Sequence, residues 1–428
     1  MAVIVGGVED FAVFENAVKS IIELLRGRVE ARIICYVVPQ IDLAKRIWQT
    51  TLKCEVAYPD ATRLLKECLF KECMELEPVK KCLDLMLERD FPKHLEMRIV
   101  DSEGRPVENP DYRPFLMGDV LGTLVLRYLE AYGFEFDREK FKRLYDEMVE
   151  YVYSKDREYV VVSPLENFEL QRVAEVLIGK YRIRELSEWE IRQLIDHGYS
   201  LGHFFSPEFG DIEIRYCVER IVRVPKRRSP DLKAIESFVT ALRLFKRGNV
   251  KCSCILYYPR IWRTSWGMEI KYRSELDFPP KYILSIDDVD KLNSFMQEFS
   301  GIEDRLPNSV KFAIRWFNKS YEEHDALDRL LDLAIALEVL FGVSDRLDLY
   351  IPHFISSSKE ERIKISKAIK ELRKIRGSIV HRGYHSVERE FVDYIEDVTR
   401  SCISKFISLL SSATYEKILE DLRNSILE

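Results

Sequence analysis

From Leu306 onward this chain places apolar residues at three- and four-residue intervals, in runs bounded by residues that start and stop helices. An amphipathic stripe of this kind is stable only when buried against others, so the C-terminal third is constrained to a helical bundle. Asn308 reads as the cap of "SVKFAIRWFNKSY", and Asp325 as the cap of "ALDRLLDLAIALEVLFG", which stops at Gly342. A third helix runs from about Lys359 through "ERIKISKAIKELRKIRGSIVH", with Ile365, Ile369, Leu372, Ile375 and Ile379 on one face and Gly383 as its C-terminal cap. A fourth covers "EREFVDYIEDVTRSCISKFISLL", and "YEKILEDLRNSILE" forms a terminal extra.

The rest of the chain has a different texture. Between residues 156 and 302, the runs "EYVVVSPL", "YRIREL", "DIEIRYCVERIVRV" and "CSCILYY" are rich in β-branched and aromatic residues. Helices separate them: Ser187 and Glu190 make a capping-box pattern, and Ser229 with Pro230 makes a cap-then-proline start. This reads as an α+β domain. Residues 1–155 read as mixed but mostly helical, with a compact β-run in "ARIICYVVP" and helical spacing in "DATRLLKECLFKECMEL" and "REKFKRLYDEMVEYVYS". The expected organisation is therefore mostly α: an N-terminal domain (1–155), an α+β middle domain (156–302) and a helical bundle (303–428).

The nine cysteines are scattered. Cys68, Cys73 and Cys82 lie on a helical stretch and Cys252 and Cys254 flank a serine in an expected strand, neither with the paired spacing of a zinc site, so buried reduced thiols are expected and no metal. The opening residues lack a basic, then long apolar, signal pattern, and no apolar run approaches the roughly 18 residues that span a bilayer. A cytoplasmic protein with no membrane partner is the expectation.

Within the bundle, "DRLLDLAIALEVLFG" followed by a basic helix ending in "RGSIVHRG" resembles an Apea-like HEPN domain, over about residues 306 to 412. That family carries an Arg-x4-His signature on its third helix and an acidic residue within "ALE" on its second. The resemblance implies a HEPN-type bundle working as a homodimer, and a metal-independent endoribonuclease without cofactor. Carried over by motif position, Arg376 binds phosphate, His381 is the catalytic histidine and Glu338 is the acidic residue. One departure stands out: where the family often has a polar residue after the arginine, this chain has Gly377.

These residue types suit the chemistry. RNA brings its own nucleophile, the 2′-hydroxyl. A histidine with a pKa of about 6.5 can accept or donate its proton, while guanidinium engages two phosphate oxygens at once. Five residues along an ideal helix turn through about 500°, leaving positions 376 and 381 roughly 140° apart. Fraying after Gly377, or completion of the site by a second subunit, would reconcile them.

The overall formal charge is −6, yet residues 221–275 hold thirteen Lys/Arg against four acids, interleaved with Tyr257, Tyr258, Trp262 and Trp266. Basic grooves with stackable aromatics suit single-stranded RNA. Arg227, Arg228, Arg247, Arg260, Trp262 and Arg263 are the candidate contacts there. The third bundle helix is also basic and adds Lys374 and Arg382. The alternative is a catalytically inactive HEPN scaffold, or a nucleotide sensor, that binds RNA or a regulatory protein partner.

Overall fold

The structure, a computed structural model, describes residues 8–26, 32–42, 47–57, 70–95, 97, 99, 105–196, 215–226, 228–252, 254–261, 267–270, 280–323, 325–343, 345–382 and 386–427. It is mostly helical, with a small sheet in the middle and helices at the C-terminus. Among the described residues, no helix is long and apolar enough to cross a membrane. The chain divides into two compact units: Met1–Tyr159 with Arg223–Ser229 and Tyr258–Trp266, and Val160–Val222 with Pro230–Tyr257 and Gly267–Glu428. Most of the segments read from sequence as a middle and a C-terminal domain thus fall in the second unit, with residues 156–159, 223–229 and 258–266 in the first.

In the first unit, α1 (Val8–Leu25) packs on α2 (Glu77–Glu88), α3 (Thr123–Tyr132) and α4 (Arg138–Tyr153). Their inward faces bury Phe14, Val18, Leu83, Leu124, Phe141 and Met148. Asp137 caps α4 by accepting the Lys140 N–H at 3.0 Å, and Asp10 on α1 receives two hydrogen bonds from Arg89. The compact β-run forms β1 (Arg32–Asp42), and its antiparallel partner β2 (Ile47–Ala57) was not expected from the sequence.

A six-stranded sheet of order β5-β6-β7-β3-β8-β9 has most of its residues in the second unit. Its strands are β3 (Asp156–Pro164), β5 (Val176–Ile178), β6 (Tyr181–Glu185), β7 (Tyr216–Pro225), β8 (Cys254–Pro259) and β9 (Gly267–Ile270). Strand β3 lies inside the sheet and is buried from Tyr159 onward, including Val161 and Val162. A separate parallel pair joins β4 (Phe168–Gln171) to β10 (Tyr282–Ser285). The capping box before α5 (Glu188–Asp196) is formed: Glu190 accepts the Ser187 N–H at 2.7 Å and also binds Arg184 through both oxygens. Helix α6 (Lys233–Phe245) starts three residues later than Ser229 and Pro230 suggest, with Asp231 accepting the Lys233 N–H. An aspartate two residues ahead supplies the acceptor that the serine was expected to give. Helix α7 (Ile286–Ile302) opens on a second capping box, Ser285 with Asp288.

Glu190 yields a pH prediction. Burial raises its carboxyl, but Arg184 and the Ser187 donors outweigh burial and hold it below the ordinary value of 4.5. A depressed carboxyl contributes stability that is fully present above its unfolded pKa and lost as pH falls through its folded one. The melting temperature of wild type should therefore fall more steeply below about pH 4.5 than that of Glu190→Gln, in a thermal scan across acidic pH. Parallel curves would show that the pair contributes nothing to folding.

The C-terminal helices are α8 (Asn308–Lys319), α9 (Ala326–Phe341), α10 (Leu347–Ile355), α11 (Lys359–Arg382), α12 (Arg389–Leu409) and α13 (Tyr415–Leu427). Asp325 caps α9 by accepting from Leu327 and Asp328, and Gly342 ends it at φ 66°, in the left-handed region glycine tolerates. Asn308 is not a cap: it is already the first helical residue, and Pro307 occupies the cap position without a side-chain bond. Helix α10 was missed because Pro352 interrupts its pattern, yet its Leu347, Ile351 and Phe354 are buried. The α11 face is as expected at Ile365, Ile369, Leu372 and Ile375, all buried. Gly383 lies outside the described residues.

Candidate active site

Two helices build the site. Helix α9 is held at both ends by Asp325 and Gly342, and buries Leu330, Leu333, Leu337 and Leu340. Glu338 follows Leu337 on its partly exposed side. Helix α11 packs against both α9 and α10. Arg376 directly follows the buried Ile375, so it emerges at the edge of the apolar stripe facing α9.

The two expected residues meet there. Arg376 Nη1 donates to Glu338 Oε1 at 2.5 Å, across 38 positions of sequence. Glu338 is the more enclosed partner, its side chain 17% exposed against 39% for Arg376. Burial pushes the Glu338 carboxyl above its ordinary range, while the Arg376 and Arg373 guanidinium charges pull the other way. Arg373 is itself tied to the turn before α10, donating to the Asp345 carbonyl at 2.9 Å.

His381 belongs to the same helix, α11, but its side chain, like that of Arg382, lies outside the described residues. The backbone nonetheless decides one point. Helix α11 runs unbroken through Gly377 to Arg382, so fraying after Gly377 is not how positions 376 and 381 are reconciled. A glycine interior to a long packed helix costs only about 1 kcal/mol relative to alanine, which the buried isoleucine stripe outweighs.

The expected nucleic-acid contacts scatter. Arg227, Trp262 and Arg263 lie outside the described residues. Arg228 and Arg260 fall in the first unit, Arg247 and Lys374 in the second. Arg247 is paired with Asp393 at 2.5 Å and approaches Asp397 at 3.6 Å, and Arg260 is paired with Glu158 at 2.9 Å. Lys374 is exposed and approaches Glu371 at 3.7 Å. Of the aromatics, Tyr257 and Tyr258 are committed elsewhere, and Trp262 and Trp266 lie outside the described residues. Tyr258 is buried, and the Tyr257 ring lies over Gly267, its cross-strand partner, so closely that a Cβ there would sit 2.2 Å from the ring. Tyr257 covers a glycine of the sheet rather than offering a stacking platform.

Sequence reasoning overlooked a buried ionic network in the same unit. Glu396 on α12 accepts from Arg329 of α9 at 2.8 Å, from the Tyr321 hydroxyl at 2.7 Å, and from Arg400. The signal was available: Glu396 and Arg400 fall on the same inward stripe as Val392, Ile395, Thr399 and Ile403. Of the cysteines named above, Cys73, Cys82, Cys252 and Cys254 are buried, and Cys68 lies outside the described residues. Among the described residues, no group of three or more His, Cys, Asp or Glu side chains is placed to hold a metal ion. No protein-family model, curated protein or solved structure matches this chain.

Proposed function

We propose that the chain is a HEPN-type endoribonuclease, acting as a homodimer on single-stranded RNA without a metal, in defence or stress response. The observation that carries this reading is the Glu338–Arg376 pair, which joins the two helices whose sequences bear the resemblance. In the proposed reaction His381 accepts the proton of the 2′-hydroxyl, whose oxygen attacks the adjacent phosphorus. The bond from phosphorus to the 5′-oxygen breaks, and that oxygen leaves as a hydroxyl after taking a proton. The products are a 2′,3′-cyclic phosphate and a 5′-hydroxyl end. Arg376 holds the phosphate oxygens as charge builds on them, a role that guanidinium fills with fixed bidentate geometry. Glu338 orients Arg376 and, through its enclosed position, keeps the guanidinium directed along one edge of α11.

One observation favours a second reading, the inactive scaffold. Arg376 already has a carboxylate partner, so an anion competes with Glu338 for part of its charge. Incubation of end-labelled single-stranded RNA with the full chain in EDTA, followed by analysis of product ends, separates the two. Cyclic-phosphate ends from wild type and none from His381→Ala are expected. RNA retained but intact in both samples would replace the nuclease reading with the scaffold.

A further inference from the structure

The second unit contains a cavity of about 1000 Å³ between β5–β6, α6, α7 and α8, apart from the Glu338–Arg376 pair. Cavities of this size accommodate metabolite-sized ligands. What distinguishes it is Arg243, on the inward face of α6. The residue is 5% exposed and lines the cavity. Its Nε donates to the Val250 carbonyl at 3.0 Å and its Nη1 to Asn318 Oδ1 at 3.0 Å. Asn318 is held in turn by donating to Thr240 Oγ1 at 2.8 Å. The guanidinium also sits over the Tyr321 ring, 4.7 Å from its centroid.

All of those contacts are neutral. A buried charge is expensive unless paired, and buried arginines normally meet a carboxylate. Arg400, similarly buried in the same unit, has Glu396 and Asp397. Among the described residues, Arg243 forms no ion pair, and its Nη2 donates no hydrogen bond. Glu322, also in the cavity wall, is within its electrostatic reach without pairing to it. The guanidinium is fixed by two hydrogen-bond acceptors, the Val250 carbonyl and Asn318 Oδ1, and by an aromatic face, which is preorganisation for an oxyanion at the remaining edge.

Another part of the lining has a different chemistry. Asp231, Glu303 and Asp304 form it, with Ser237 donating to Glu303. Carboxylates accept hydrogen bonds from hydroxyls, while Lys180, Lys233 and Lys311 around the same cavity offset their charge. An anion anchored at Arg243 therefore has hydroxyl acceptors within the same enclosure.

We propose that this cavity binds a phosphate monoester of a hydroxyl-bearing metabolite, of sugar-phosphate to nucleotide size, with the phosphate on Arg243 and the hydroxyls toward the carboxylate wall. Phosphate is preferred to carboxylate because a dianion offsets more of an otherwise unpaired buried cation. The proposal does not depend on nuclease activity, and binding is measured without RNA.

The test is calorimetric titration of the full chain with AMP, ribose 5-phosphate, inorganic phosphate, adenosine and succinate as probes. AMP or ribose 5-phosphate should bind, with adenosine at least about tenfold weaker, the cost of losing a charged hydrogen-bonded pair, and succinate weaker as well because each of its carboxylates brings a single charge and no sugar hydroxyls. Arg243→Met should weaken the phosphate-bearing probes by at least about tenfold. Should that variant not fold, Ala234→Trp, which fills the cavity from α6 and leaves Arg243 in place, carries the same expectation. No binding of any phosphate-bearing probe at millimolar concentration would overturn the proposal. So would binding unaffected by Ala234→Trp, or adenosine binding as tightly as AMP.

Discussion

Replacing Glu396 with alanine should cost the second unit about 3–5 kcal/mol, because it leaves the buried Arg329 without its carboxylate and takes one of two from Arg400. Arg329 and Arg400 have side chains only 9% and 8% exposed, and Glu396 pairs with both while accepting the Tyr321 hydroxyl. Burial lowers the Arg400 pKa, but Tyr321 and Glu396 more than compensate and hold it above its ordinary range. Guanidinium does not deprotonate in proteins, so the charge persists when the carboxylate is removed. For a unit of this size the loss corresponds to a melting temperature lower by roughly 10–15 °C. The network also ties α8, α9 and α12 together, since Tyr321 follows α8, Arg329 lies on α9 and Glu396 on α12. Apolar replacement of all three charged residues should recover most of the loss, as packing replaces ion pairing. Calorimetric unfolding of the single and triple variants decides the matter. A single variant within about 1 kcal/mol of wild type would mean that water, not Glu396, compensates the arginines.

The features legible in sequence were the local ones. Asp325 and Gly342 bracket α9 because capping depends on a few consecutive residues, and the Ile365, Ile369, Leu372 and Ile375 face follows from helical period alone. What could not be read depends on distant partners. Arg247 looked free for RNA, but its carboxylates stand 146 and 150 positions away, on α12. Tyr257 looked like a stacking platform, but its role follows from pairing with Gly267 across a strand register. Helix α10 escaped because proline is a reliable breaker only where packing does not override it; here Leu347, Ile351 and Phe354 bury enough surface to hold the turn. The same distinction divides the site. The Arg-x4-His spacing is local and visible, whereas the meeting of Glu338 with Arg376 depends on how α9 packs against α11.

The continuity of α11 gives the second large prediction. With no break at Gly377, positions 376 and 381 remain roughly 140° apart around the helix, so one protomer is poorly arranged to bring both to one phosphate. In the proposed nuclease, each site then takes Arg376 from one protomer and His381 from its partner across a two-fold axis. Arg376→Ala and His381→Ala homodimers should each lose about 10²–10⁴-fold in cleavage rate, the scale of a missing general base or oxyanion-stabilising donor. Arg376→Lys should fall with them, since ammonium lacks the planar fork. Melting temperatures should stay near that of wild type for the two Arg376 variants, because that side chain is partly exposed and a surface pair contributes little. The informative experiment mixes the two dead proteins after subunit exchange. At equal amounts half the dimers are mixed, and each mixed dimer regains one intact composite site, so about one quarter of wild-type activity should return. Complementation at that level requires a shared site, whereas a site contained within one protomer predicts no recovery at any ratio. Persistent inactivity of the mixture, from wild-type protein that does cleave RNA, would therefore place both residues at one protomer's own phosphate and require α11 to bend when RNA binds.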